Sequence, residues 1–164
     1  MTRVQPAWLG LTLVTAAVYA ILLWLGARYL YAGPDRLPPF DARVLGYSAQ
    51  AAREYLAALG PDQVRIYTGP MHWIDTLFPP LLGVWIWITL RWLGAARAVW
   101  LAPLYVLVDW SENALVGRML EAGAQGVSDG LVAWASAATA VKFAALALAL
   151  IAAGHAGLRR WGKL

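Results

Sequence analysis

Apolar residues fall in four blocks along the chain, each of membrane-crossing length, and polar residues gather between them. A helix rises ~1.5 Å per residue, so about 20 residues cross a ~30 Å hydrocarbon core. The blocks predict spans over 7–28, 71–90, 98–118 and 131–153. The first block is longer than the apolar region of a secretory signal, which favours a retained span over a cleaved leader. Residues 33–70 form the one long polar segment, punctuated by Pro34, Pro38, Pro39, Pro61 and Pro70. Within it Ala51, Ala52, Tyr55, Leu56 and Leu59 make an apolar stripe opposite Gln50, Arg53 and Glu54. Ser48 is the expected N-cap of that helix and Gly60-Pro61 its stop. The predicted fold is all-α: a single integral membrane domain over 1–164, built as a four-helix transmembrane bundle with an extra amphipathic helix in the first extracytoplasmic loop.

Polar residues inside the blocks change this picture. Tyr105, Asp109, Glu112 and Asn113 stand at i, i+4, i+7 and i+8, so they share one helix face that must look inward. A carboxylate in hydrocarbon costs about 2.5–3.5 kcal/mol on the mildest insertion scale, which implies a partner, a wet cavity or a function. The second span is interrupted early by Phe78-Pro79-Pro80. Pro79 and Pro80 lack the N–H groups that would bond the carbonyls of Asp75 and Thr76, so two acceptors are freed beside a carboxylate and need a donor. The same prolines are expected to bend the span and open space next to Asp75.

Depths measured from the inner span ends bring these groups together. Asp109 lies twelve residues beyond Arg97, about 18 Å up, and Lys142 eleven before Ala153, about 17 Å up. Equal depth predicts an ion pair. Asp75, Glu112, Thr139 and Ser136 fall in a second polar layer just outward, with His72 above it. Asp75, Glu112 and Asn113 are expected to line one cavity beneath the Ser48–Leu59 helix. The bland alternative is a buried polar network that only fixes helix register. His72 with Asp75, and Asp109 with Glu112, have the i, i+3 spacing of metal ligands, but Lys142 brings positive charge to the same place, and no metal or cofactor is assigned. Ser111 and Ser136 lack an arguable base, and His155 reads as a surface histidine.

Composition narrows the class. Of 164 residues 61% are hydrophobic and 13% charged, against about 25% charged in soluble domains. The chain has no cysteine, which excludes disulfides, thiolate catalysis and Cys-ligated metal sites. The net charge of +4 comes largely from basic residues at block ends rather than from a basic face interleaved with aromatics, so nucleic acid is not an expected partner. Trp8, Trp24, Tyr29, Tyr31, Trp73, Trp92, Trp100 and Trp161 fall near span ends and read as interfacial belts. Arg3, Arg91, Arg97, Arg159, Arg160 and Lys163 crowd three short segments on one side. The positive-inside rule then puts both termini in the cytoplasm and the 33–70 loop outside.

Gly46-Tyr47-Ser48 leading to Leu59-Gly60, then Tyr67, Asp75-x-x-Phe78-Pro79 and Asp109-x-x-Glu112-Asn113, resemble a group of small bacterial four-span membrane proteins with no assigned reaction. The resemblance covers about residues 41–120. It implies the bacterial cytoplasmic (inner) membrane and adds Tyr67 to the candidate positions. A second likeness, of architecture alone, is to EXPERA-type sterol isomerases and lipid binders, which place acidic residues in an apolar cavity of a small helical bundle. The first functional expectation is binding of a lipid-like or amphipathic small molecule carrying an amine or hydroxyl, with Asp75, Asp109, Glu112, Asn113, Lys142, His72, Tyr67 and Thr139 around it. The second is an intramembrane lipid-modifying enzyme using Glu112 or Asp75 as general acid/base. The third is a structural or assembly subunit. Ion conduction would need a homo-oligomer, because four spans are few for a pore.

Overall fold

The computed structural model describes residues 6–162; the predicted basic positions Arg3 and Lys163 lie outside them. Those residues are helical throughout apart from short connections. Six α-helices follow in order: α1 (Pro6–Leu25), α2 (Ala49–Ala58), α3 (Pro61–Ile66), α4 (His72–Leu93), α5 (Leu101–Gly126) and α6 (Asp129–Arg160). Three helical runs are long and apolar enough to cross a membrane: Pro6–Leu30, Pro61–Leu93 and Asp129–Arg160. By length and composition the fold is that of an integral membrane protein. α5 is long enough too, but carries Asp109, Glu112 and Arg118 within one membrane-length stretch.

α5 and α6 pack along each other, α4 lies across both, and α1 packs on α4 while standing apart from α6. Gly83 permits the close approach of α4 to α5, since a Cβ there would run into Val106. Indole pairs fasten α1 to α4: Trp8 Nε1 donates to Thr89 Oγ1 at 2.9 Å, and Trp85 Nε1 to Thr12 Oγ1 at 2.8 Å. Trp8 also packs its ring 6.1 Å from Trp85 and 6.0 Å from Trp92.

The loop after α1 folds onto the bundle. Ala32 and Leu37 exchange backbone hydrogen bonds of 3.0 and 2.8 Å, closing a turn through Gly33 and Arg36, both at positive φ. Phe40, Tyr55, Leu30, Ala32 and Ala52 are fully buried there. Burial of this apolar group offsets the entropy of ordering the loop. Ser48 caps α2 by accepting from Ala51 N at 3.1 Å. Gly60-Pro61 ends α2 as expected from the sequence, but Pro61 also opens α3, a helix the pattern did not reveal, because proline is well suited to a first helical position. Gln63 fastens α3 to the end of α1, donating to Tyr29 O at 2.8 Å and Tyr31 O at 3.0 Å.

Three boundaries differ from the sequence reading. The expected interruption at Pro79-Pro80 is not where the helix breaks: α4 runs on through both prolines, and the irregular backbone is at Gly69 (φ −103°, ψ −108°). α5 continues past the expected end at residue 118 to Gly126, passing Gly123 at φ +66°, a conformation glycine adopts without a Cβ penalty. Residues 127–128 are then the whole connection to α6, whose first turn Ser128 caps by accepting from Leu131 N at 3.2 Å. At the opposite end Gly94 (φ +83°) closes α4 in a Schellman arrangement, with Ala95 N bonded to Leu90 O at 2.9 Å.

Candidate functional site

Buried apolar side chains form two clusters, one around the loop and α2, the other where α4, α5 and α6 approach the α4–α5 turn. A polar centre stands on Lys142 of α6, which is buried. Its Nζ lies 2.8 Å from Asp109 Oδ1 on α5 and pairs with Glu112 Oε2 one turn further along. It also lies 3.2 Å from Oδ1 of Asp41, in the 3-10 turn Phe40–Ala42. Thr139, one turn before Lys142, donates its hydroxyl to Glu112 Oε1. Thus α6 supplies one ammonium and one hydroxyl, at i and i+3, to carboxylates that α5 presents at the same spacing. Three carboxylates thus surround one ammonium, and their opposite charge offsets the cost of holding that cation out of water.

Asp41 is the participant that sequence reasoning missed. It belongs to a polar-looking loop, and depth counting along spans cannot reach a loop residue. Pro38-Pro39-Phe40 was the available signal: Phe40 is fully buried, its ring centroid 4.9 Å from those of both Tyr47 and Tyr55, and it carries the next residue inward. Tyr67, buried in the turn between α3 and α4, donates its hydroxyl to Asp41 Oδ2 at 3.2 Å. Arg43 holds the same turn from behind, donating to Pro38 O at 3.1 and 3.0 Å and lying over the rings of Phe40, Tyr47 and Tyr55. Burial raises the pKa of the Tyr47 and Tyr55 hydroxyls well above the ordinary tyrosine range, with nearby acids adding to the effect. Tyr55 therefore stays a donor, to Leu30 O at 2.8 Å.

The carbonyls freed by the proline pair find their donors on α5. Asn113 Nδ2 lies 3.4 Å from Asp75 O, and Trp110 Nε1 lies 3.0 Å from Thr76 O. Side chains replace the two missing backbone bonds, which accounts for an α4 that persists through both prolines.

Two cavities flank Asp75. The larger, of about 650 Å³, has walls from α1 (Thr15, Tyr19, Leu22), α4 (Phe78, Leu82, Trp85) and α6 (Phe143, Leu146, Leu150), and a polar end at Asp41, Asp75, Asp109 and Lys142. Its rim residues Tyr19, Leu23 and Leu150 are about half exposed, and α1 and α6 do not pack against each other, so it opens sideways between those helices. The smaller, of about 130 Å³, lies between the α3–α4 turn and α5, with Tyr67, Asp75, Asn113 and Glu121 in its wall. Asp41, Met71 and Asp75 line both.

This geometry corrects the single expected cavity. Asp75 and Asn113 share the small space, Asp75, Asp109 and Lys142 the large one, and fully buried Glu112 and Thr139 line neither, because the Lys142 and Thr139 contacts hold the Glu112 carboxylate between α5 and α6. Neither space is beneath α2, which packs on α5 and α6 instead. His72 is exposed at the rim of the small cavity, edge-on to Trp73. Ser136 accepts from Tyr47 N at 2.7 Å and so serves loop attachment. Among the described residues no three His, Asp or Glu side chains are grouped as a metal ion would require; Lys142 occupies the centre of the carboxylates. The chain matches no protein-family profile, no curated protein and no solved structure.

Proposed function

We propose that this is a four-span membrane protein that binds a lipid-like or amphipathic small molecule in the cavity between α1 and α6. The cavity itself carries the reading: its volume falls in the range of small-molecule sites, its walls are apolar, and its polar groups converge at one end. A molecule with an apolar body and a polar head matches that distribution. A sideways opening suits a ligand dissolved in the bilayer. α5 is the fourth span in this reading, because its polar face is turned onto α6 while Leu104, Leu107 and Trp110 face outward. Arg160 bonds Trp92 O, placing the end of α6 beside the Arg91–Arg97 turn, and Arg53 meets Asp129 at 2.5 Å at the other end. The basic density at the first of these ends supports the cytoplasmic side for it, with both termini there and the loop outside, in the bacterial inner membrane that the resemblance implies.

Native mass spectrometry of protein purified in mild detergent tests the binding reading. A co-purifying mass that is lost when the cavity is filled, as by Leu146→Trp, supports it; a bare protein that no amphiphile stabilises thermally overturns it. A catalytic alternative narrows to Asp75, whose carboxylate receives no hydrogen bond among the described residues and borders both cavities. Product formation from a bound lipid, absent in Asp75→Asn, would favour that alternative.

A further inference from the structure

We infer that the small cavity is a headgroup site for a single-chain amine, whose ammonium sits on Asp75 while its chain extends into the large cavity. The inference rests on the binding reading above and commits it to one chemical class. Asp41, Met71 and Asp75 stand in the walls of both cavities, so an elongated molecule passing these three side chains would occupy both. Among the described residues no lysine or arginine lines the small one; its ionisable wall is Asp41, Asp75 and Glu121, with Tyr67 and with His72 at the rim.

Charge balance separates these acids. Asp41, Asp109 and Glu112 all lie against Lys142, and Tyr67 adds a second hydrogen bond to Asp41. The Asp75 carboxylate has no hydrogen bond or ion pair among the described residues. An unneutralised acid at this depth calls for a cation.

Asn113 supplies the independent observation. Only 8% exposed, it turns its NH₂ to the Asp75 carbonyl, since a carbonyl can only accept. Among the described residues no donor meets its Oδ1, and the side chain stands in the wall of the small cavity. An ammonium carries N–H donors and no acceptor, so it complements a carboxylate and an amide oxygen together. An alcohol offers one donor and no charge, and a fatty acid would bring a second anion to Asp75. Lys142 does not oppose the amine, because it lies outside the small cavity and three carboxylates already surround it.

The test compares dodecylamine, dodecanol and dodecanoate on the full-length protein in phosphatidylcholine nanodiscs, read by native mass spectrometry and by thermal shift. The expected result is binding of dodecylamine about tenfold or more tighter than dodecanol, with dodecanoate weakest, as a charge-assisted contact implies. Asp75→Asn should reduce the amine preference to less than about threefold, with melting temperature and monodispersity retained. Equal binding of amine and alcohol by the unaltered protein overturns the headgroup inference and leaves the cavity reading standing. Binding of none of the three overturns both. The wild-type comparison decides the matter even if the variant fails to fold.

Discussion

Lys142 Nζ stands 2.8 Å from Asp109 Oδ1 across the α5–α6 interface, yet the pair is one side of a larger cluster, because Asp41 and Glu112 reach the same ammonium. The two possible neutralisations are therefore unequal. Lys142→Met leaves three carboxylates facing one another, two of them buried, whereas Asp109→Asn leaves an ammonium still held by two. Lys142→Met should destabilise by at least the ~3–5 kcal/mol of a broken buried pair, and Asp109→Asn by less. The double variant should recover only part of the loss, since Asp41 and Glu112 remain without their cation. Thermal unfolding in one detergent measures all three. Full recovery would mean that only Asp109 is coupled to Lys142.

The proline carbonyls give a second double-mutant test. Asn113→Leu removes the donor to Asp75 O and should cost about 1–3 kcal/mol, the range for an unsatisfied buried acceptor. Pro79→Ala restores a backbone N–H able to reach that carbonyl. In the Pro79→Ala background the Asn113→Leu penalty should shrink to a few tenths of a kcal/mol, about the usual error of additivity for independent sites. An unchanged penalty would mean that Asn113 acts elsewhere than on Asp75 O.

The Lys142–Asp109 contact was legible because both residues sit on regular spans, where ~1.5 Å per residue converts position into depth. The need for donors at Asp75 and Thr76 was legible too, since proline chemistry is local; which residues answer it, Asn113 and Trp110, depends on helix rotation that a linear count does not carry. Asp41 and α3 were not read, because their places follow from how Phe40 and Gln63 fasten the loop to α1 and the bundle, a tertiary result. Glu112 does lie on the inward face expected of it, but in the α5–α6 interface rather than in a cavity wall. A pitch of 3.6 residues puts Asp109 and Glu112 about 60° apart, enough for one to border a cavity while the other is sealed in the interface.

The proposed transmembrane orientation rests on the end-to-end contacts and the basic turns, and the absence of cysteine makes it directly measurable. Gln50→Cys on exposed α2 should react with an impermeant maleimide from outside intact cells, and Ala95→Cys in the α4–α5 turn only after permeabilisation. Labelling of Gln50→Cys only from the cytoplasm would overturn the orientation. Labelling of both from outside would overturn α4 as a span, since the two positions stand on either side of it.

Glu112 and Asp75 should respond oppositely to the same isosteric change. Glu112 is fully buried, receives the Thr139 hydroxyl, and pairs with Lys142 without bordering either cavity. Glu112→Gln keeps the shape and can still satisfy Thr139, whose hydroxyl can accept from the new NH₂ while donating to Ala135 O, but it removes the negative charge beside the ammonium. The expected loss is about 1–3 kcal/mol of stability, with no change in the ranking of dodecylamine over dodecanol. The Asp75 carboxylate makes no such internal contact among the described residues, and Asp75→Asn should leave the melting temperature within about 2 °C, a shift that corresponds to about 0.5–1 kcal/mol for a chain of this size. Its effect should fall on ligand ranking instead. A Glu112→Gln protein of normal stability that no longer distinguishes amine from alcohol would transfer the ligand contact to Glu112, and would require a route to it through the α5–α6 interface, which the packing around Val132, Ala135 and Val116 closes.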